Sequence, residues 1–212
     1  RSAAAGPGDN VTVTMDGASA ASVREDYTAS PAAPRTGAAG AASADVTITV
    51  VTDDLDEDDE TVIVNMGSPT NATQGATTTH TVTITDDDAT PSVTFTAASQ
   101  ATADETGGLT ATVTAQLSAA SGLAVTVPFT IDGSSTATVT DDYTASPASP
   151  LTIAAGATSA DLTITVGTDA FDEDDETVIV NMGSPTNATP GATTTHTVTI
   201  TDDDATPSVT FT

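Results

Sequence analysis

The sequence predicts an all-β protein, built as immunoglobulin-like β-sandwiches in tandem repeats of about 116 residues. Short segments alternate apolar residues with threonine, which is the pattern of half-buried strands. Clusters of Gly, Pro, Asn and Ser separate these segments and mark turns. No segment has helical spacing over a useful length, and about seven short strands per repeat are typical of such a sandwich.

A long internal repeat defines the domain organisation. The stretch 56–96 returns as 172–212 with a single difference, Gln74 against Pro190. The amino-terminal parts of the two copies have diverged more, although Asp-Tyr at 26–27 recurs at 142–143.

The frame of the repeat predicts three parts. Residues 1–88 form a repeat lacking its first strands, residues 89–204 form a complete repeat, and residues 205–212 form the first strand of a following repeat or a donor strand for another chain. A piece of a longer tandem array accounts for this arrangement most simply, and a filament joined by strand addition is the alternative.

The strands of the complete repeat follow from alternation, in order. They are expected at Ser92–Thr96, Leu109–Leu117, Val125–Ile131, Leu162–Val166, Thr177–Met182 and His196–Thr201. A further short strand is expected near Thr136–Val139 or Leu151–Ile153. The predicted inward face is Val93, Phe95, Leu109, Ala111, Val113, Val125, Val127, Phe129, Ile131, Leu162, Ile164, Val166, Val178, Val180, Met182, Val198 and Ile200.

The charge balance excludes several classes of partner. The chain has 30 acidic residues against 3 basic ones, for a net charge of −27. Nucleic acids and anionic membranes need a basic patch, so neither is expected as a partner. No apolar run is long enough to insert into a membrane. The chain lacks cysteine, so it contains no disulfide, and a core with 3% aromatic residues needs another source of stability.

Acidic clusters lie where predicted strands end. Residues 53–60 and 169–176 are acidic runs between two strands, and residues 86–88 and 202–204 follow the last strand of each copy. If these ends meet at one pole of a sandwich, their carboxylates repel one another unless cations bind. Several hard oxygen ligands at flexible geometry suit Ca²⁺, whereas Zn²⁺ prefers His or Cys. Plain surface charge is the alternative interpretation.

These motifs resemble the Calx-β domain family, which includes calcium-binding domains of sodium–calcium exchangers and repeats of bacterial surface proteins. The resemblance is carried by Asp142-Tyr143, by the run Asp169-x3-Glu173-x2-Glu176-Thr-Val, and by Val198-Thr-Ile-Thr-Asp202-Asp203-Asp204. It covers the complete repeat and most of residues 1–88. It implies a β-sandwich that binds Ca²⁺ at one end.

The resemblance also implies the ligands. In the complete repeat they are Glu105, Asp142, Asp169, Glu173, Glu176, Asp202, Asp203 and Asp204. In the first copy they are Asp26, Asp53, Glu57, Glu60, Asp86, Asp87 and Asp88. Thr52 and Thr168 stand where the exchanger sensor has a further acid, so roughly two or three ions per repeat are expected instead of four.

The predicted function is a non-enzymatic, calcium-rigidified stalk or filament outside the cell, as part of a large adhesin. Its expected partners are neighbouring repeats or identical chains. A calcium-sensing regulatory module and a filament joined by donor strands are the alternatives. No catalytic set is recognisable in the sequence, so no catalytic residue is predicted.

Overall fold

The computed structural model describes residues 10–22, 25–30, 35–36, 43–101 and 108–211. The chain divides into two compact units, the first comprising residues 1–54 and 58–87, the second residues 55–57 and 88–212. All regular structure in the described residues is β-strand. These residues include no helix long and apolar enough to cross a membrane.

The described residues of the first unit form seven strands with a small core. They are β1 (Asn10–Val11), β2 (Val13–Met15), β3 (Tyr27–Ser30), β4 (Arg35–Thr36), β5 (Thr47–Val50), β6 (Glu60–Met66) and β7 (Thr79–Ile84). Strands β2, β6 and β7 form one sheet, while β3 pairs with β5 and β1 with β4. Among its described residues, the buried apolar side chains of the core are Ala21, Tyr27 and Val62, and further apolar side chains pack around them partly buried.

The second unit contains the remaining eleven described strands. They are β8 (Ser92–Phe95), β9 (Ser99–Ala101), β10 (Thr110–Leu117), β11 (Val125–Val127), β12 (Phe129–Ile131), β13 (Tyr143–Ser146), β14 (Leu151–Ile153), β15 (Ser159–Val166), β16 (Glu176–Met182), β17 (Thr189–Pro190) and β18 (Thr195–Ile200).

Two sheets of the second unit enclose its core. One has the order β13-β15-β10-β8-β17 and the other β12-β16-β18-β9, with β11 and β14 forming a separate pair. Val113 and Ile164 of the first sheet and Val180 and Val198 of the second are fully buried in one apolar cluster. Because alternate side chains of a strand point to opposite faces, threonines occupy the other face. The second unit is an immunoglobulin-like β-sandwich.

Most strands of the complete repeat lie close to where alternation predicts them, although β15 begins at Ser159 instead of Leu162. The predicted strand Val125–Ile131 is two strands, because Pro128 has no amide hydrogen to continue the ladder. The additional strand is Leu151–Ile153, and Thr136–Val139 is not a strand. The structure also adds β13, β9 and β17, which are too short for a readable alternation.

The predicted core is wrong at Leu109. This side chain is 36% exposed because strand β10 begins at Thr110 and Leu109 lies before it. Ile131 and Met182 pack against the core but are only partly buried. Conversely, Leu151, Ile153 and Tyr143 are each 1% exposed and belong to the core.

Candidate metal centre

Strand pairing brings the predicted ligands of the second unit to the ends of neighbouring strands. Asp142 immediately precedes β13, whose first residue pairs with Val166 at the end of β15. Asp169 lies three residues after that strand end. In the other sheet, Glu176 at the start of β16 pairs with Ile200 at the end of β18. The acids at 202–204 begin two residues after that end.

Three of the predicted ligands form a close cluster. One carboxylate oxygen each from Asp142, Asp169 and Glu173 lies within 4.8 Å of the other two. Asp142 is half-buried, and the other two side chains are exposed. No cation neutralises the cluster within the described chain, which contains no lysine.

The electrostatics of the cluster extend to the acids after β18. Partial desolvation, and then the charge of Asp169, raise the pKa of Glu173, with smaller contributions from Asp142, Asp202 and Asp204. The pKa of Asp204 is raised by desolvation and then by the charges of its acidic neighbours. The run 169–176 and the cluster 202–204 therefore share one region of negative potential.

Main-chain hydrogen bonds fix the acidic loops. The Asp142 carboxylate accepts a short hydrogen bond from the amide of Thr138. The Asp169 carboxylate accepts one of 2.8 Å from the amide of Phe171. Each bond uses one carboxylate oxygen and leaves the other available as an acceptor or metal ligand.

Two acids that the ligand prediction does not include position this loop. The Oδ1 atom of Asp175 accepts a hydrogen bond of 3.3 Å from the amide of Asp202, which connects the acidic run to the end of β18. The Oδ1 atom of Asp172 accepts one of 3.2 Å from the hydroxyl of Thr206. Both acids recur in the first copy of the repeat, but only the fold shows which carboxylates form hydrogen bonds with other parts of the chain instead of joining the cluster.

The first unit repeats part of this arrangement. Asp26 accepts a short hydrogen bond from the amide of Ser22. Asp59 accepts one of 3.0 Å from the amide of Asp86, as Asp175 does in the second unit. Among the described residues, however, no group of three ligands within 4.8 Å forms from the predicted set of the first copy, namely Asp26, Asp53, Glu57, Glu60, Asp86, Asp87 and Asp88.

The remaining predicted ligands of the second unit lie at different positions. Glu176 is half-buried at the start of β16, and Asp203 is exposed. Glu105 lies outside the described residues.

His196 is buried, and its Nδ1 atom is 2.7 Å from the carbonyl oxygen of Ala97, as expected for a core histidine.

The chemistry of the cluster fits a hard cation. Its donors are carboxylate oxygens from separate loops, without the imidazole or thiolate groups that select Zn²⁺. Ca²⁺ accepts six to eight oxygens at flexible geometry, and the carbonyls and water available at an exposed loop can complete its shell. Desolvation and the neighbouring carboxylates raise the pKa values of Glu173 and Asp204, so this site disfavours further negative charge.

Comparison with known proteins identifies one family. The Calx-beta domain family matches residues 9–88 and 86–204. No curated protein sequence matches the chain.

Similar solved structures carry the same family name. One is the apo-form Calx CBD1 domain, 20% identical with a TM-score of 0.48, which covers 55% of this chain and 100% of that one. Another is CBD12 from CALX1.2, 18% identical with a TM-score of 0.43, covering 90% and 86% of the two chains. The calcium binding domain CBD12 of CALX1.1 is 17% identical with a TM-score of 0.43 and covers 93% and 89%. Since the family match spans most of the sequence, this chain belongs to the Calx-beta domain family.

Proposed function

We propose that the chain is a calcium-binding structural module without enzymatic activity, which forms part of an extracellular stalk or filament of an adhesin. The observation that carries the proposal is the cluster of Asp142, Asp169 and Glu173, whose oxygens lie within 4.8 Å of one another in a chain with 30 acidic residues and 3 basic ones. Bound Ca²⁺ removes the repulsion between these loops and stabilises the folded state, to which alone it binds.

The extracellular location is part of the proposal. A net charge of −27 suits a medium rich in divalent cations. Millimolar calcium keeps even a weak structural site filled, whereas a cytosolic sensor needs micromolar affinity or better. The near-identity of the stretches 56–96 and 172–212 fits a tandem array in which the repeats serve to lengthen the protein.

Calorimetric titration tests the calcium site. We expect Ca²⁺ to bind more tightly than Mg²⁺, with dissociation constants of about 10⁻⁴ to 10⁻³ M for a structural module. Asp169→Asn should lower the affinity at least about tenfold. Asp174→Asn is the matched control, because it removes the same charge from an exposed residue of the same run outside the cluster. Equal effects of both variants would show that only diffuse charge attracts the ion.

Small-angle scattering tests the stalk. We expect calcium to narrow the distribution of shapes of the 212-residue chain, and a chelator to broaden it. Scattering profiles that do not respond to a chelator would contradict a calcium-rigidified stalk, although they would leave calcium binding intact. A micromolar dissociation constant would instead favour the sensor.

A specific observation favours a filament joined by donor strands as a second candidate. The first unit has an apolar cleft of about 200 Å³, lined by Val13, Ala44, Val46, Val64, Met66 and residues 77–80. In the second unit, strand β8 occupies the corresponding place. The amide of Phe95 donates a 2.8 Å hydrogen bond to the carbonyl oxygen of Thr193, and the phenyl ring of Phe95 packs edge-on against His196. Residues 208–211 repeat the sequence of β8, and Val209 and Phe211 are 91% and 104% exposed.

Sedimentation tests the donor-strand candidate. The 212-residue chain should form polymers with calcium, and Phe211→Ser should stop them, because the donor loses its largest apolar side chain. Phe171→Ser is the control, since Phe171 is also exposed but lies outside the repeated strand. A chain that stays monomeric at high concentration would exclude this candidate.

A further inference from the structure

A buried aspartate lies in the second unit, within its segment 55–57. Asp56 is 8% exposed and is the one charged residue that is buried in the described part of the chain. A buried carboxylate requires hydrogen bonds, because it would otherwise lose its hydration without compensation. The contacts around Asp56 supply them.

Three groups of the second unit hold Asp56. The hydroxyl of Thr90 donates a hydrogen bond of 3.0 Å to its Oδ1 atom. The hydroxyl of Ser121 donates one of 3.1 Å to its carbonyl oxygen and lies 3.5 Å from its Oδ2 atom. The amide of Gly122 donates another of 3.1 Å to the same carbonyl.

The turn at 121–122 is shaped for this segment. Ser121 is 1% exposed, and its carbonyl accepts a 2.8 Å hydrogen bond from the amide of Gly156, which fixes the turn to the sandwich. A Cβ atom at position 122 would lie 2.5 Å from Cγ and 2.3 Å from Oε1 of Glu57. A glycine there leaves room for the acidic segment.

One part of this contact, the hydrogen bond between the aspartate and the threonine, recurs at the end of the second copy of the repeat. Asp172 and Thr206 are the counterparts of Asp56 and Thr90, and their side chains form the same hydrogen bond at 3.2 Å. Here both residues are exposed, and no copy of the serine-glycine turn contacts Asp172 in the described residues. The sequence from each aspartate to beyond its threonine is the same in both copies except for Gln74 against Pro190, so the same chemistry is available at both places.

We propose that Asp172, held by Thr206, is a docking point for a further copy of the Ser121–Gly122 turn, and thus for a following repeat of this sequence. The occupant follows from the second unit, where that turn seats an aspartate in the same local sequence. The inference deepens the proposed array by naming the contact that joins its repeats. The contact consists of hydrogen bonds between protein groups and needs no metal ion.

The test compares the 212-residue chain with a chain in which residues 97–212 are copied after Thr212. Hydrogen exchange followed by mass spectrometry reports on the turn at 121–123 and on its copy. In the 212-residue chain, Asp56→Ala should accelerate exchange at 121–123 about tenfold, because the hydroxyl of Thr90 loses its 3.0 Å acceptor, and this bond helps to hold the main-chain carbonyl of residue 56 against Ser121 and Gly122. In the extended chain, Asp172→Ala should do the same at the copied turn.

Matched controls separate this joint from diffuse charge and from the calcium site. Asp174→Ala should leave exchange at the copied turn unchanged in the extended chain. Asp172→Ala combined with a serine-to-alanine change in the copied turn should accelerate exchange no more than the stronger single variant.

The proposal is overturned if Asp172→Ala leaves the copied turn unaffected, or if the two changes act independently. All variants are measured in a chelator and again in calcium. If calcium binds but exchange at the copied turn does not respond to Asp172→Ala, the docking point alone is rejected. If exchange at the copied turn responds as expected but calcium does not bind, the proposed calcium site alone is rejected.

Discussion

The carboxylate of Asp175 accepts a hydrogen bond from the amide of Asp202, at 3.3 Å, and so connects the acidic run to the end of strand β18. Asp59 and Asp86 form the same contact at 3.0 Å in the first unit. A hydrogen bond that recurs in both copies reflects a structural role. Its consequence is that one acid of the run orients the loop while its neighbours remain available to a cation.

Replacing Asp175 should therefore weaken calcium binding although Asp175 is outside the three-carboxylate cluster. We expect Asp175→Ala to lower the calcium affinity about tenfold, the range seen for residues that orient metal ligands. Calorimetric titration measures this, with Asp174→Ala as the control for the lost charge. An affinity equal to that of the control variant would show that the hydrogen bond to Asp202 does not orient the site.

Calcium should stabilise the fold against denaturant. Free Ca²⁺ at a hundred times its dissociation constant adds about 2.7 kcal/mol per site to the free energy of unfolding. Urea titrations with calcium and with a chelator measure the difference through the shift of the midpoint. Asp169→Asn should reduce that shift, and a shift that is the same in both proteins would place the stabilising ion elsewhere.

Tyr143 offers a test of the core beneath this pole. The side chain is 1% exposed, and its hydroxyl has no hydrogen-bond partner in the described part of the chain. Tyr143→Phe should thus leave the free energy of unfolding unchanged or raise it by about 1 kcal/mol, because no hydrogen bond is lost and a buried polar group is removed. Tyr143→Ala should lower it by about 3–5 kcal/mol through the cavity it leaves. A loss of stability in the phenylalanine variant would reveal a partner for the hydroxyl.

The acid side of the stability profile should depend on Asp132. Hydrogen bonds from the side chain and amide of Ser134, and then from Asn181 at 2.6 Å, lower the pKa of this carboxyl from its ordinary value of 3.8. The folded state therefore binds its proton less readily than the unfolded chain does. The resulting stabilisation is complete above pH 3.8 and is lost as the pH falls through the lower pKa of the folded state.

Asp132→Asn should flatten this dependence. Urea midpoints between about pH 5 and pH 2, measured after calcium has been removed at neutral pH, should fall less steeply in the variant than in the unsubstituted protein. Removing calcium beforehand keeps a bound ion from contributing differently to the two profiles. Parallel profiles would mean that the hydrogen bonds of Asp132 are not retained in solution.

Alternation and repetition in the sequence determined the fold class, the strands at 92–95 and 195–200, and most of the core. They determined these because a strand that buries one face has apolar residues at every second position. Only the tertiary structure decided that Leu109 is exposed, because this depends on where strand β10 begins.

For the carboxylates too, the sequence determined one part of the arrangement and the tertiary structure the other. The sequence determined that they cluster at strand ends, because acidic residues and the ends of predicted strands can both be located in the sequence itself. The tertiary structure decided that Asp142, Asp169 and Glu173 converge, that Asp175 binds the main chain, and that Asp56 is buried. Neighbours in one acidic run point in different directions, and those directions follow from hydrogen bonds to distant parts of the chain, which no local pattern records.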